Sequence, residues 1–204
     1  MQVSPAAPAA PPYARYWEDV TLDRDNREMI KVQLVQNPVP YTPEEDAMIA
    51  NCLLVVDKLG GDVDTKHSSD IKFTKHETYT PLQQAYMCHD EKLGITYGKV
   101  MATVRGASVL DVVAYLTDYV SNFNAKHSLS PNQIEARILE HINNHHQVVY
   151  YKGRGTGPFR DRDFVWSGIV KRLADDVYIC VFHPTQHKDA PITSSAVRAE
   201  STRV

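Results

Sequence analysis

The residues with the most chemical potential lie in the second half of the chain. Asp161-Arg162-Asp163 stands directly before the apolar, aromatic run Phe164-Val165-Trp166. A guanidinium between two carboxylates at the start of a strand either pairs with one of them or caps backbone carbonyls, so Arg162 is expected in one of those roles. Lys152, Arg154, Arg160 and Arg162 surround the glycine-rich stretch Gly153-Arg154-Gly155-Thr156-Gly157-Pro158. A phosphate-cradling loop would end in Gly-Lys-Ser/Thr and open a helix. This one ends in proline and runs on into a strand pattern, so it reads as a flexible loop. Its cations are either solvated or meet anionic headgroups, a contact worth about 1 kcal/mol per cation near an anionic surface.

His141, His145, His146, His183 and His187 invite a metal reading. Metal sites need three or four converging ligands. Adjacent His145 and His146 would point to opposite faces of a strand, and His183 and His187 straddle Pro184. They read as exposed turn histidines, and no metal or cofactor is expected. The sequence holds no Gly-x-Ser-x-Gly elbow and no assembled Cys–His arrangement, and Asp175-Asp176 reads as a turn. The expectation is a protein that is not an enzyme.

Elements must position these groups. Thr42-Pro43-Glu44-Glu45 supplies a capping hydroxyl, a first-turn proline and a glutamate at the third helical position. Met48, Ile49, Cys52, Leu53, Val56 and Leu59 follow at helical spacing, and Gly60-Gly61 supplies a stop, which predicts a helix over 43–59. A second helix starts at Ser108, with Asp111 three residues on, an apolar stripe of Val109, Val112, Val113, Leu116 and Val120, and Asp118 on the polar face. Ser128 to Pro131 reads as a loop. Strands are expected over 70–79, 84–89 and 95–105, with a turn at Asp90 to Gly94. Two hairpins follow: 134–142 with 147–152 about Asn143-Asn144-His145-His146, and 164–173 with 177–183 about Ala174-Asp175-Asp176. A further strand is expected from Ala196 to Val204. Antiparallel hairpins with two separate helices indicate an α+β domain.

Phe164 and Trp166 share one strand face, while Val165, Ser167 and Ile169 share the other. Both faces look apolar. A sheet around an internal cavity explains that, and so does ordinary sandwich packing.

The 204 residues allow one large domain or two small ones, and the net charge of −3 gives no clustered-cation signal for nucleic acid. No apolar run is long enough for a transmembrane helix, and the Pro/Ala-rich start is not a secretory signal. Cys52, Cys88 and Cys180 are few, odd in number and widely spaced, which argues for inert thiols in a reducing, cytoplasmic compartment. Residues 1–42 read as a disordered or linker arm: disorder over Met1 to Pro12, then a linker or docking arm over 13–40.

Taken in order, Arg162-Asp163-Phe164-Val165, the second hairpin with His183-Pro184-Thr185-Gln186-His187, and Ala196-Val197-Arg198-Ala199 resemble the later part of a START (StAR-related lipid-transfer) domain. The resemblance implies a helix-grip fold over 43–204: a curved antiparallel sheet gripping a long C-terminal helix. It implies a lipid or other hydrophobic ligand held in an internal cavity for transfer or sensing, with transient contact to membrane surfaces. Trp166, Phe164 and, on the adjoining strand, Tyr151 are the lipid-contact candidates, because their area suits a mostly apolar pocket. Against them stands the reading that these aromatics only pack the sheet. Sterol- and phosphatidylcholine-binding relatives place an arginine a few residues after the motif, which falls near Gly168 here. Sterol binders pair it with an acidic residue on the preceding strand, and Gln147 to Tyr151 holds none. The pocket is therefore expected to lack that ion pair. The gripping helix is expected to be missing, as in a fragment, or replaced by a segment such as 13–40. With no cover, exposing roughly 500 Å² of the concave face would cost on the order of 12 kcal/mol. Two rivals use the same fold: a polyketide cyclase-like enzyme, and a protein-interaction module with a vestigial cavity.

Overall fold

The computed structural model describes residues 24–36, 39–58, 73–76, 83–92, 94–118 and 132–204. The expectations for Met1 to Pro12, Gly60-Gly61 and Ser128 to Pro131 lie outside them. The chain divides into two units, one containing 24–36 and 113–203, the other 40–112.

The smaller unit contains α2 (Pro43–Lys58) and the antiparallel sheet β1-β2-β3, formed by Thr74–His76, Gln83–Asp90 and Ile95–Ala102. The start of α2 forms a capping box. The Glu45 backbone N–H donates to Thr42 Oγ1 at 3.2 Å, and the Thr42 N–H donates to the Glu45 carboxylate at 2.8 Å. The stripe then buries Ile49 and Cys52. Burial pushes the Cys52 thiol up. The strand expected from Asp70 is reduced, in the described residues, to Thr74–His76.

Helix α3 (Val109–Thr117) runs from one unit into the other. It too begins with a reciprocal cap: the Asp111 N–H donates to Ser108 Oγ and the Ser108 N–H to Asp111 Oδ2. Its buried side differs from the expected stripe. Val113 and Ala114 are buried, whereas Val109 and Leu116 are exposed. Asp118, expected on the polar face, is buried just past the helix end.

The larger unit is built on the order β4-β5-β6-β7: Gln133–Asn143, His146–Gly153, Arg162–Ala174 and Val177–Pro184, all antiparallel. Both expected hairpins form. Asp176 closes the second with φ +56°, a left-handed conformation that aspartate tolerates in tight turns. The expected last strand is reorganised. Only Val197–Arg198 form β8, and it runs parallel to the start of β6, with Arg162 opposite Val197. The chain then makes a single antiparallel bridge between Arg203 and Phe182. β7 ends opposite Trp166, so the first residues of β6 need another partner for their backbone groups, and β8 provides it. No helix forms between Pro184 and Val204.

Within the stretch expected as a linker or docking arm, Arg24–Gln36 form helix α1. Its half-buried positions include Arg27, Ile30, Lys31 and Leu34, spaced three and four apart, while Met29, Val32 and Val35 are exposed. The inward stripe thus mixes charge with apolar groups, so a purely apolar periodicity does not reveal it.

Candidate functional site

The strand register sorts the larger sheet into two faces. Asp163, Val165, Ser167 and Ile169 of β6 share one with Val148 and Tyr150 of β5. There Val148, Tyr150 and Val165 pack with Ala190 of the loop after β7, and Leu139 joins them. An ion pair holds that loop down. Arg198 Nε and Nη2 donate to the two Asp163 carboxylate oxygens at 2.9 and 3.0 Å, and Nη2 also donates to the Ala190 carbonyl at 3.0 Å. The pair is nearly dry, with side-chain exposures of 5 % for Asp163 and 13 % for Arg198. The hydrogen bond with Asp163 holds the guanidinium's pKa up. The two motif segments of the sequence, 35 residues apart, are thus one contact. It is Asp163 that takes the ion pair. The Arg162 guanidinium lies over the Phe159 ring, 5.7 Å from its centroid.

The other face carries Phe164, Trp166, Gly168 and Val170 of β6, with Tyr151, Val149 and Gln147 opposite on β5 and Phe182 on β7. The three aromatic candidates come together. Phe164 stacks on Trp166 at 4.7 Å, and Tyr151 lies 6.3 Å from Trp166 and 6.0 Å from Phe164. Trp166 is 1 % exposed. Its Nε1–H donates to the Ser201 carbonyl at 2.9 Å, and Arg203 sits over its ring at 4.4 Å. Phe182 meets its edge at 6.4 Å. Burial pushes the Tyr151 phenol up, with Arg203 pulling it partly back.

Further along this face lies a cavity of about 480 Å³. Its floor includes Gly168 and Val170 of β6, Phe182, Gln147 and Ile138. Met29, Ile30, Gln33 and Leu34 of α1 form a wall, and Thr117 and Asp118 close it at the end of α3. Asp118 fixes that wall. Its side chain is 2 % exposed and lies 3.4 Å from Arg27 Nε, and the Arg27 guanidinium stacks over Tyr115 at 5.2 Å. Gln147 Nε2 donates to the Thr117 carbonyl at 2.9 Å, tying the sheet to the same helix end. Trp166, Phe164 and Tyr151 do not line this cavity directly. Phe182 joins them to it. Sequence reasoning missed α1 and Asp118 as parts of the site. The signal that could have marked them is the charge of Arg27 one turn before Ile30 and Lys31.

The β4–β5 turn contributes Asn143, Asn144, His145 and His146 to the lining. The expectation of exposed turn histidines fails for His187, half-buried with Nε2 3.3 Å from Glu140 Oε2, and for two residues of this turn. His145 is buried, and its backbone N–H donates to Asn143 Oδ1 at 2.9 Å. His146 is half-buried, with Nε2 2.7 Å from Ser167 Oγ. The tight turn draws them in because the Val170 N–H donates to the His145 carbonyl.

A family model for the START domain matches residues 83–203. The chain belongs to the START family. Solved structures agree in fold. The START domain here resembles human StAR-related lipid transfer protein 5 with TM-score 0.53 and 15 % identity, covering 75 % of this chain and 66 % of that one. Human STARD10 gives 0.56 and 14 %, covering 81 % and 60 %. A STAR-related lipid transfer protein from Xanthomonas axonopodis gives 0.51 and 17 %, covering 64 % and 71 %. The chain therefore spans just under two thirds of the first and three fifths of the second. No curated protein matches it in sequence. Within this START domain, Gly168 lies near where the resemblance placed an arginine, and the Phe182 ring fills the space beside it. A Cβ at 168 would lie 2.9 Å from Phe182 Cε1.

The glycine-rich loop is less open than its composition suggests. The Gly155 N–H donates to Asp161 Oδ1 at 3.1 Å, and a Cβ there would collide with the carbonyls of Phe159 and Arg160. The loop carries Phe159, 61 % exposed, and Arg160 donates to the Ser194 carbonyl of the neighbouring loop, which carries Ile192, 69 % exposed. Burial raises the Cys180 thiol to about 11, and all three cysteines are free. Among the described residues, no helix is long and apolar enough to cross a membrane.

Proposed function

We propose that this START domain binds a lipid, holding its hydrophobic part in the cavity under α1, for transfer or sensing and without catalysis. The cavity itself is the observation that carries this reading. At about 480 Å³ it lies within the range of roughly 300–1,000 Å³ typical of small-molecule sites. Its floor is continuous, through Phe182, with the stack of Trp166, Phe164 and Tyr151, which we assign as the apolar end of the lipid-contact surface. The names of the similar structures, StAR-related lipid transfer proteins, support the same reading. Residues 43–204 are the START-like domain of this reading; its lipid site lies within 113–203, with α1 as a wall. The test is to purify the chain, extract it and identify bound lipid by mass spectrometry, then offer it vesicles. A cooperatively folded protein that carries no lipid and takes up none would overturn the reading.

Loading requires contact with a membrane. We place that contact at the paired loops that expose Phe159 and Ile192, flanked by Arg154, Arg160 and Arg162. Two exposed apolar side chains among cations suit an anionic bilayer surface rather than a dry protein interface. The free thiols fit action in the cytoplasm. Replacing Phe159 with serine and Arg154 with glutamate should reduce co-sedimentation with phosphatidylserine vesicles and leave the melt unchanged. Undiminished binding would relocate the contact.

A further inference from the structure

The cavity lining says which lipid class it suits, an inference that rests on the lipid-binding reading above. We propose that the site takes a single-chain lipid with an uncharged, hydrogen-bonding head and rejects lipids headed by phosphate or carboxylate. The charge of the lining is the first argument. Among the described residues that form it there is no lysine and no arginine. Asp118 is its one carboxylate, and Arg27, the cation beside it, is held 3.4 Å from that carboxylate and over Tyr115. Its basic groups are the imidazoles of His141, His145 and His146, so an anionic head would enter with no permanent cation of its own to meet and with a buried carboxylate nearby, and an unpaired buried charge is strongly disfavoured. The resemblance would supply an arginine near Gly168, and at Gly168 the Phe182 ring fills the space.

The hydrogen-bonding polar groups are the second argument. Asn143, Asn144 and His145 come from one turn, Gln147 follows on β5, and Gln33 faces them from α1. Amides and imidazoles both donate and accept, which matches hydroxyl, ester and amide heads. Ile30, Leu34, Ile138, Val170 and Phe182 provide the apolar remainder. Size is the third. At roughly 30 Å³ for each water-sized group, about 480 Å³ holds one acyl chain and a small head at the closer spacing of bonded atoms. A two-chain phospholipid has more than twice as many heavy atoms and would have to displace α1.

The test uses the full chain and phosphatidylcholine vesicles doped in turn with monooleoylglycerol, oleate or dioleoylglycerol. The protein is re-isolated, its lipid measured by mass spectrometry and its melting curve recorded. Monooleoylglycerol should be retained over oleate and over phosphatidylcholine by at least about tenfold. Phe182→Ala, which widens the floor, should raise dioleoylglycerol uptake relative to the parent chain. Oleate or phosphatidylcholine retained as well as monooleoylglycerol overturns the class assignment and leaves lipid binding standing. A protein that melts cooperatively and retains none of the four overturns lipid binding itself.

Discussion

The two faces of the β4–β7 sheet are made by the same strands and closed in different ways. On one, Val148, Tyr150 and Val165 pack with Ala190, and the Asp163–Arg198 pair clamps the covering loop. That closure is local in structure, charged and tight. On the other, Trp166 is covered by the backbone of Ser201 and the guanidinium of Arg203, and a few residues further on the cover becomes α1, with a cavity beneath. The first face uses an ion pair to seat a loop on close-packed side chains. The second uses aromatic area and leaves space. The difference teaches that apolar character on both sides of a strand need not mean two equivalent cores. The sealed side supplies stability, and the other divides its area between packing and an open cavity.

The largest test of this division is Trp166→Ala, because Trp166 lies on the open face but at its sealed end. It removes a fully buried indole, its bond to Ser201 and its contact with Arg203. The expected loss is about 4 kcal/mol, within the range for large-to-small core changes, and Tm should fall by roughly 10 °C for a chain this long. Lipid uptake should fall with it. If uptake falls while the melt hardly moves, Trp166 lines the ligand site directly, and the boundary between sealed and open regions lies closer to Phe164. If neither changes, the face assignment of β6 is wrong.

Asp163→Ala comes next. It strands Arg198 in a nearly dry setting, and removing one partner of a buried pair costs about 3 kcal/mol or somewhat more. The loss should be global, read from chemical denaturation, and monooleoylglycerol uptake at temperatures well below the melt should be retained. An uptake defect in the still-folded variant would mean that the clamp also shapes the cavity, and the two faces would not be separable.

Much of this arrangement was legible in the residues. The caps at Thr42 and Ser108 are local chemistry, where a hydroxyl and a carboxylate three residues apart reach each other's backbone N–H. The hairpin at Asp175-Asp176 is equally local. The sharing of one face by Phe164, Trp166 and Tyr151 follows from strand alternation once β5 and β6 pair. Asp163 and Arg198 were visible as two motifs but not as one contact, because the side chain that Asp163 selects is fixed by the loop after β7 and not by its neighbours Asp161 and Arg162. β8 was read as a long strand because Ala196 to Val204 has the composition of one. Its parallel pairing depends on where β7 ends. Asp118 and α1 were illegible for a common reason. Each completes the other: a carboxylate at the end of α3 reads as solvated until Arg27 is placed beside it, and α1 reads as a linker until its mixed stripe has something to face.

The smallest effects give the sharpest contrast, through one pair of substitutions. Val148→Ala acts on the sealed face, where Val148 packs with Tyr150, Val165 and Ala190. It should cost about 2 kcal/mol through lost burial and the void left behind, and leave uptake of monooleoylglycerol unchanged. Gly168→Ala acts on the open face. Its new methyl meets Phe182 at a distance real carbon contacts do not sustain, so the ring must move. On that side the ring has a cavity to move into, because Phe182 is part of its lining. The strain should therefore be relieved at a cost of roughly 1 kcal/mol, the low end for overpacking, while the displaced ring takes volume from the ligand. Stability should rank Gly168→Ala above Val148→Ala, and uptake should rank them the other way. Such a crossover cannot come from general destabilisation, which would order both measurements alike. If the two variants rank the same way in both, the faces are energetically alike, and the cavity beneath α1 is not where the ligand resides.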